Sequence, residues 1–171
     1  MMIIVQVTSV AGAYVYGIIG ERFGFKRGLV QSLLLMIAAV VAIYFNTSMT
    51  GFLLIVAVAG FALTGVQSLS RTMIGAFAPP GKSAEFFGFF GMVGRTSSFI
   101  GPFLFGWLVD FLADNMVANG ILVDAAEQTA HRQAVFLIVA FLVVGLGLLS
   151  LVNERKGRQI ALGQTVSESG D

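Results

Sequence analysis

Long apolar segments alternate with short polar connections along the chain. Five of these segments cover residues 1–20, 28–45, 51–69, 85–110 and 132–152. A helix needs roughly 20 apolar residues to cross the ~30 Å hydrocarbon core of a bilayer, so the pattern predicts five membrane-spanning helices. We expect the long connection FLADNMVANGILVDAAEQTAH to hold a short interfacial helix, and the polar tail from Asn153 to be disordered.

Composition supports an integral membrane protein. The chain is 57% hydrophobic and only 11% charged, far from the usual balance of a soluble domain. It has no cysteine, which excludes disulfide frameworks, thiol catalysis and thiolate metal sites, and a single histidine cannot build a metal site. We predict no enzyme activity, cofactor, metal or nucleic-acid partner, because no set of nucleophile, base and acid and no phosphate-binding loop is present.

The basic residues are distributed unevenly among the connections. Eight of the ten lie in the first and third connections and the tail: Arg22, Lys26, Arg27, Arg71, Lys82, Arg155, Lys156 and Arg158. The positive-inside rule then makes the C-terminus cytoplasmic and the first span begin outside. That span starts at residue 1 and lacks the pattern of a cleaved signal peptide, so we expect a chain cut from a longer parent.

The predicted spans differ in polarity. The second and fifth are apolar almost all round, as expected of helices that face lipid. The other three carry polar side chains, including Gln67 in the third and Arg95 and Ser98 in the fourth. Such side chains favour contact with a partner helix or a wet cavity.

Arg95 occupies an expensive position in the fourth span. It follows Glu85, a candidate first-turn acid, by ten residues, which places it about 15 Å into the bilayer at about 1.5 Å per residue. Burial there costs at least about 2.5 to 3.5 kcal/mol, so the arginine needs protein or water around it. Helical spacing puts Gly88, Gly91, Arg95, Ser98 and Pro102 on one face. Two roles stay open: a packing arginine satisfied by carbonyl groups, or a cation that lines or gates a solute cavity.

The hairpin GIIGERFGFKR resembles the loop motif of the major facilitator superfamily, although a simple charged membrane anchor is the alternative. The matching residues are Gly17, Glu21, Arg22, Gly24, Lys26 and Arg27. Glu21 stands where aspartate is commoner in that motif, and Phe25 where a base often follows the glycine. The resemblance implies that Glu21, Arg22 and Lys26 latch the cytoplasmic side against a neighbouring helix end.

A second stretch narrows the resemblance. GVQSLSR, PPGKSAEFFGFF and GRTSSFIGPFLFG look like the vacuole effluxer branch of that superfamily, whose fungal members export amino acids from the vacuole. The matched residues are Gly65, Gln67, Ser70, Arg71, Pro79, Lys82, Glu85, Phe86, Phe87, Gly88, Gly94, Arg95, Ser98, Gly101, Pro102 and Gly106. The superfamily has twelve helices in two halves, and its loop motif lies between the second and third helices of each half. Here the motif follows the first span and precedes four more spans and a cytoplasmic tail, so the resemblance implies helices eight to twelve.

The resemblance implies an all-α fold in which residues 1–152 form part of the C-terminal six-helix half, followed by a cytoplasmic tail at 153–171. The implied function is secondary active transport of a small solute, amino acids being the candidate, by alternating access. The implied partners are the solute, a coupling proton or ion, the lipid bilayer and a separate N-terminal half, in the inner membrane if the source is bacterial. The alternative is a non-transporting membrane subunit or a truncated remnant that needs that other half.

Overall fold

The described part of the chain consists of helices joined by short turns. The computed structural model describes residues 2–161, apart from the side chains of Met2, Ile4, Arg155 and Arg158. The helices are α1 (Met2–Phe23), α2 (Phe25–Phe45), α3 (Met49–Phe77), α4 (Ser83–Ala118), α5 (Val123–Leu151) and α6 (Glu154–Ala161). No strand occurs within residues 2–161. The predicted all-α membrane fold is therefore confirmed.

Four of the helices, α2 to α5, are long and apolar enough to cross a membrane. They match the second to fifth predicted spans, and each helix begins before its apolar segment. The first predicted span coincides with α1, a helix of 22 residues. Its crossing of the membrane stays a prediction, because α2 to α5 are the described helices that are long and apolar enough for a span.

The connection between α4 and α5 contains no separate interfacial helix, so that prediction was wrong. Its residues instead extend the two long helices, which are separated only by residues 119–122. Gly120 has φ of +87°, and the N–H groups of Gly120 and Ile121 donate to the carbonyls of Val117 and Met116 at 2.9 and 3.1 Å. This is a Schellman motif, which ends α4 by pairing its last carbonyl groups.

Glycine lets α1 and α3 pack at close range. A Cβ atom on Gly12 would lie 2.6 Å from the Phe61 carbonyl oxygen, and one on Gly65 would lie 2.3 Å from the Tyr16 ring. Tyr16 is only 4% exposed and belongs to the main core between α1, α2, α3 and α5. The glycines stand where another side chain would force the helices apart.

A second, smaller core lies between α4 and α5. It consists of Val109 on α4 and the alanines Ala130 and Ala134 on α5. The two helices form a pair that joins the rest of the bundle mainly through α5 and α2. Among the four candidate spans α2 is the most buried and α4 the least. The sequence predicted that the uniformly apolar α2 faces lipid. In the structure one side of α2 instead packs on α3, so uniform apolarity does not show that a helix is exposed all round.

The predicted disorder of the tail was wrong for its first residues. Residues Glu154–Ala161 form α6, and the Asn153 Oδ1 atom accepts a hydrogen bond from the Lys156 N–H at 3.2 Å. Such a cap satisfies an N–H group that the first turn leaves unpaired. Gly157 packs against the Phe77 ring of α3, and Ala161 is 5% exposed. The rest of the predicted tail, 162–171, lies outside the described residues.

Candidate functional site

The turn between α1 and α2 is a single residue, Gly24. Its φ of +95° lies in the region that disfavours side chains, which explains glycine at this point of the loop motif. A Cβ atom there would also come to 3.4 Å from the Glu154 carboxylate. The hairpin is thus tight enough to bring the start of α2 against the start of α6.

Glu154 caps the N-terminus of α2. Its two carboxylate oxygens accept hydrogen bonds from the backbone N–H groups of Phe25 (3.2 Å) and Lys26 (3.0 Å). The first N–H groups of a helix have no partner inside it, and the positive end of the helix dipole favours an anion. Glu154 meets both requirements from 128 residues away in the sequence.

Lys26 caps the C-terminus of α5 in return. Its Nζ atom donates to the carbonyl oxygens of Ser150 at 2.8 Å and Val152 at 2.6 Å. The last carbonyls of a helix are unpaired in the same way, and the negative end of the dipole favours a cation. We call the four-part arrangement of Glu154, the α2 N-terminus, Lys26 and the α5 C-terminus the reciprocal cap.

The other charged residues of the loop motif lie outside the reciprocal cap. Glu21, Arg22 and Arg27 are exposed, and none makes a hydrogen bond or ion pair with the described residues. Of the three residues predicted to latch this side, the structure brings only Lys26 against a neighbouring helix end. At Gly17 an added Cβ would meet nothing within 4 Å, so its role in the motif stays a prediction.

The predicted small-residue face of α4 lies on the surface of the described chain. Gly88, Gly91, Arg95, Ser98 and Pro102 are all exposed. Arg95 makes no hydrogen bond or ion pair with any residue of the described range. Cβ atoms added at Gly88 and Gly91 would meet nothing within 4 Å, unlike those at the α1–α3 contact. The described chain itself makes no use of this face for packing.

The hydroxyl groups around Arg95 are held by their own helix. Ser98 donates to the carbonyl of Gly94 at 2.9 Å, and Thr96 and Ser97 make the same contact four residues back. Pro102 has no N–H with which to reach the Ser98 carbonyl, its helical partner. The Ser98 carbonyl therefore lacks its usual helical donor and is, besides the guanidinium, the polar group on this face that stays available for a hydrogen bond.

The remaining predicted residues are spread over two helices. Gln67 and Arg71 are exposed on α3, and Glu85 is exposed in the first turn of α4 as predicted. Gly101 and Pro102 line an apolar groove of about 800 Å³ between α4 and α5. These residues do not form one compact cluster with the reciprocal cap.

Sequence reasoning missed Glu154 because it assigned the tail to a disordered region. A local signal was present: an asparagine, then an acid, directly after a long apolar segment is typical of a new helix start. The sequence holds no comparable signal for the target of that acid, which is the end of another helix.

Comparisons with known proteins show the family to which the chain belongs. The family model of the vacuole effluxer Atg22-like proteins matches residues 1–162. The chain belongs to this family.

Similar proteins occur in both bacteria and fungi. An uncharacterized MFS-type transporter of Bacillus subtilis, YxiO, is 27% identical over 94% of this chain and 35% of its own length. Autophagy-related protein 22-1 of Aspergillus clavatus is 32% identical over 60% of this chain and 14% of its own length. Autophagy-related protein 22 of Saccharomyces cerevisiae is 30% identical over 64% of this chain and 18% of its own length.

The chain thus spans about a third or less of the length of these relatives. No solved structure matches it. Family membership and four apolar helices together identify an integral, multi-pass membrane protein of a transporter family. The relatives are named as transporters or autophagy-related proteins, not as enzymes.

Proposed function

We propose that the chain is the C-terminal part of a secondary active transporter that moves a small solute by alternating access. Amino acids are the candidate solute, with a proton or ion as the coupling species. The membership of the chain in a vacuole effluxer family supports this proposal, as does the length of its bacterial relative, of which the chain spans 35%.

The observation that carries the proposal is the open face of α4. An arginine near the bilayer midplane needs a partner, and Arg95 has none among the described residues. The glycines beside it leave room for a helix or a solute to approach. We infer that this face borders the cavity between two halves of the transporter, where Arg95, Ser98 and, from α3, Gln67 meet the solute or the opposing half.

The reciprocal cap supports the mechanical side of the proposal. It joins the start of α2 to the end of α5, which both belong to the same bundle. In alternating access, one bundle rocks largely as a rigid body against the other. The cap would keep the ends of this bundle together during that motion, with Glu21 and Arg22 free to meet the other half on the cytoplasmic side.

The test is transport of labelled amino acids into vesicles that contain the chain together with the N-terminal half. We expect Arg95→Ala to lower the initial rate by roughly 10- to 150-fold, since a hydrogen bond to a charged group contributes about 1.5–3 kcal/mol and each 1.4 kcal/mol is a factor of ten. Arg95→Lys should retain part of the rate, and Lys82→Gln, which removes an exposed charge elsewhere, should retain all of it.

Three outcomes separate the alternatives. Undiminished transport by Arg95→Ala at normal abundance would remove this residue from the mechanism. Loss of abundance, with normal transport per molecule, would indicate a packing arginine instead. A non-transporting subunit would show no transport even in the presence of the other half, and the open face of α4 would then serve only for assembly. A truncated remnant that needs the other half would show no transport in vesicles that contain this chain alone.

A further inference from the structure

A cavity of about 660 Å³ lies at the end of the bundle that carries the reciprocal cap. It is bounded by the α1–α2 turn on one side and by the junction of α5 and α6 on the other. Its lining includes Phe23, Lys26, Arg27, Leu151, Asn153 and Glu154. Because α2 begins at Phe25 and α5 ends at Leu151, the cavity lies where two candidate spans reach the membrane surface.

Two of the three charged groups in this lining are already paired. The carboxylate of Glu154 accepts two backbone N–H groups, and the ammonium of Lys26 donates to two carbonyls. The guanidinium of Arg27 is exposed and makes no hydrogen bond or ion pair with residues 2–161. Arg27 is thus the charged group that remains available to a ligand. Its planar guanidinium binds best to an anion that can accept two parallel hydrogen bonds, such as a phosphate or a carboxylate.

Two exposed apolar side chains line the cavity beside these polar groups. The side chain of Leu151 is 80% exposed, and that of Phe23 is 63% exposed. A small soluble anion would pair with Arg27 and leave both side chains in water. A phospholipid would cover them with an acyl chain while its phosphate reached the guanidinium, and the interface is the depth at which phosphate and acyl chain meet.

We propose that this cavity binds the headgroup of an anionic phospholipid, with the phosphate on Arg27 and the acyl chain along Phe23 and Leu151. The site is distinct from the α4 face, and it requires only that the chain is embedded in a membrane. An anionic lipid is favoured over a zwitterionic one because the lining carries Lys26 and Arg27 against a single acid, Glu154.

Native mass spectrometry of the full chain in detergent tests the proposal, with equal amounts of phosphatidylglycerol and phosphatidylcholine added. We expect selective retention of phosphatidylglycerol. Arg27→Gln should weaken it about fivefold, because one basic residue near a membrane surface contributes about that factor. Arg27→Lys should keep most of the retention. Lys82→Gln removes an exposed charge that does not line the cavity and should leave retention unchanged.

Leu151→Ser provides an independent arm, since so exposed a side chain adds little to internal packing. It should weaken retention of the lipid without changing the far-ultraviolet circular dichroism of the chain. Equal retention of the two lipids, or equal losses in Arg27→Gln and Lys82→Gln, would overturn the proposal. So would inorganic phosphate that displaces phosphatidylglycerol completely, because the site would then select a free anion.

Discussion

Removing the Glu154 side chain should uncouple the ends of α2 and α5. In the structure its carboxylate accepts the N–H groups of Phe25 and Lys26 at 3.2 and 3.0 Å. A hydrogen bond to a charged group contributes about 1.5–3 kcal/mol when water cannot replace it, and an anion at a helix N-terminus contributes about 0.3–1 kcal/mol. Water reaches this end of the bundle and can replace one of the two hydrogen bonds once the carboxylate is gone, so one bond and the dipole contribution, each near its lower limit, are lost.

We therefore expect Glu154→Ala to lower the free energy of unfolding by about 2 kcal/mol. Glu154→Gln should cost about 1 kcal/mol, because the amide keeps one acceptor oxygen but loses the charge. Glu21→Ala is the matched control, since Glu21 is exposed in the same hairpin and makes no contact of this kind with the described residues. It should change stability by less than about 0.5 kcal/mol.

The measurement is unfolding of the full chain in detergent micelles by titration with sodium dodecyl sulfate, followed by far-ultraviolet circular dichroism. Hydrogen exchange at Phe25 and Lys26 gives a local readout, because these two N–H groups should exchange faster in Glu154→Ala. If Glu154→Ala were as stable as Glu21→Ala and exchange at both amides were unchanged, the carboxylate would not be capping α2.

The other two stability predictions use the same titration. Gly65→Ala should destabilise by about 1–3 kcal/mol, since its Cβ atom would meet the Tyr16 ring at 2.3 Å, and a neutral result would mean that α1 and α3 separate at little cost. Its control is Gly91→Ala, which has open space and should be neutral or stabilising by up to about 1 kcal/mol. Lys26→Met should cost about 1 kcal/mol by leaving two α5 carbonyls uncapped, whereas Arg22→Met should cost less; equal effects would contradict the cap.

The helices could be predicted from the sequence because their causes are local. A span is marked by its length and by continuous apolarity, and both properties can be counted along the chain. The segment 28–45 lies within α2 (Phe25–Phe45), and the segment 132–152 covers most of α5 (Val123–Leu151). The family resemblance also depended on local signals, namely short sequence motifs. The family match over residues 1–162 confirms it.

Glycine shows where local pattern was insufficient. Gly65 and Gly91 belong to similar apolar, small-residue segments, yet one lies against the Tyr16 ring and the other faces open space. Spacing shows which glycines share a helix face, but it does not show which neighbouring helix covers that face. The answer depends on how α1, α3 and α4 are arranged around one another, which no single segment encodes.

By itself, the sequence determined the class of the protein, the approximate positions of its helices and the cost of placing Arg95 within a bilayer. Each of these follows from hydrophobicity and spacing over a few turns of helix. Only the tertiary structure decided that Glu154 caps the start of α2 and Lys26 the end of α5. It also decided that Arg95 makes no hydrogen bond or ion pair within the described residues. Both facts depend on how helices that are distant in the sequence lie against one another. A cap between two helix ends stabilises the pair of helices, so neither segment alone reveals it.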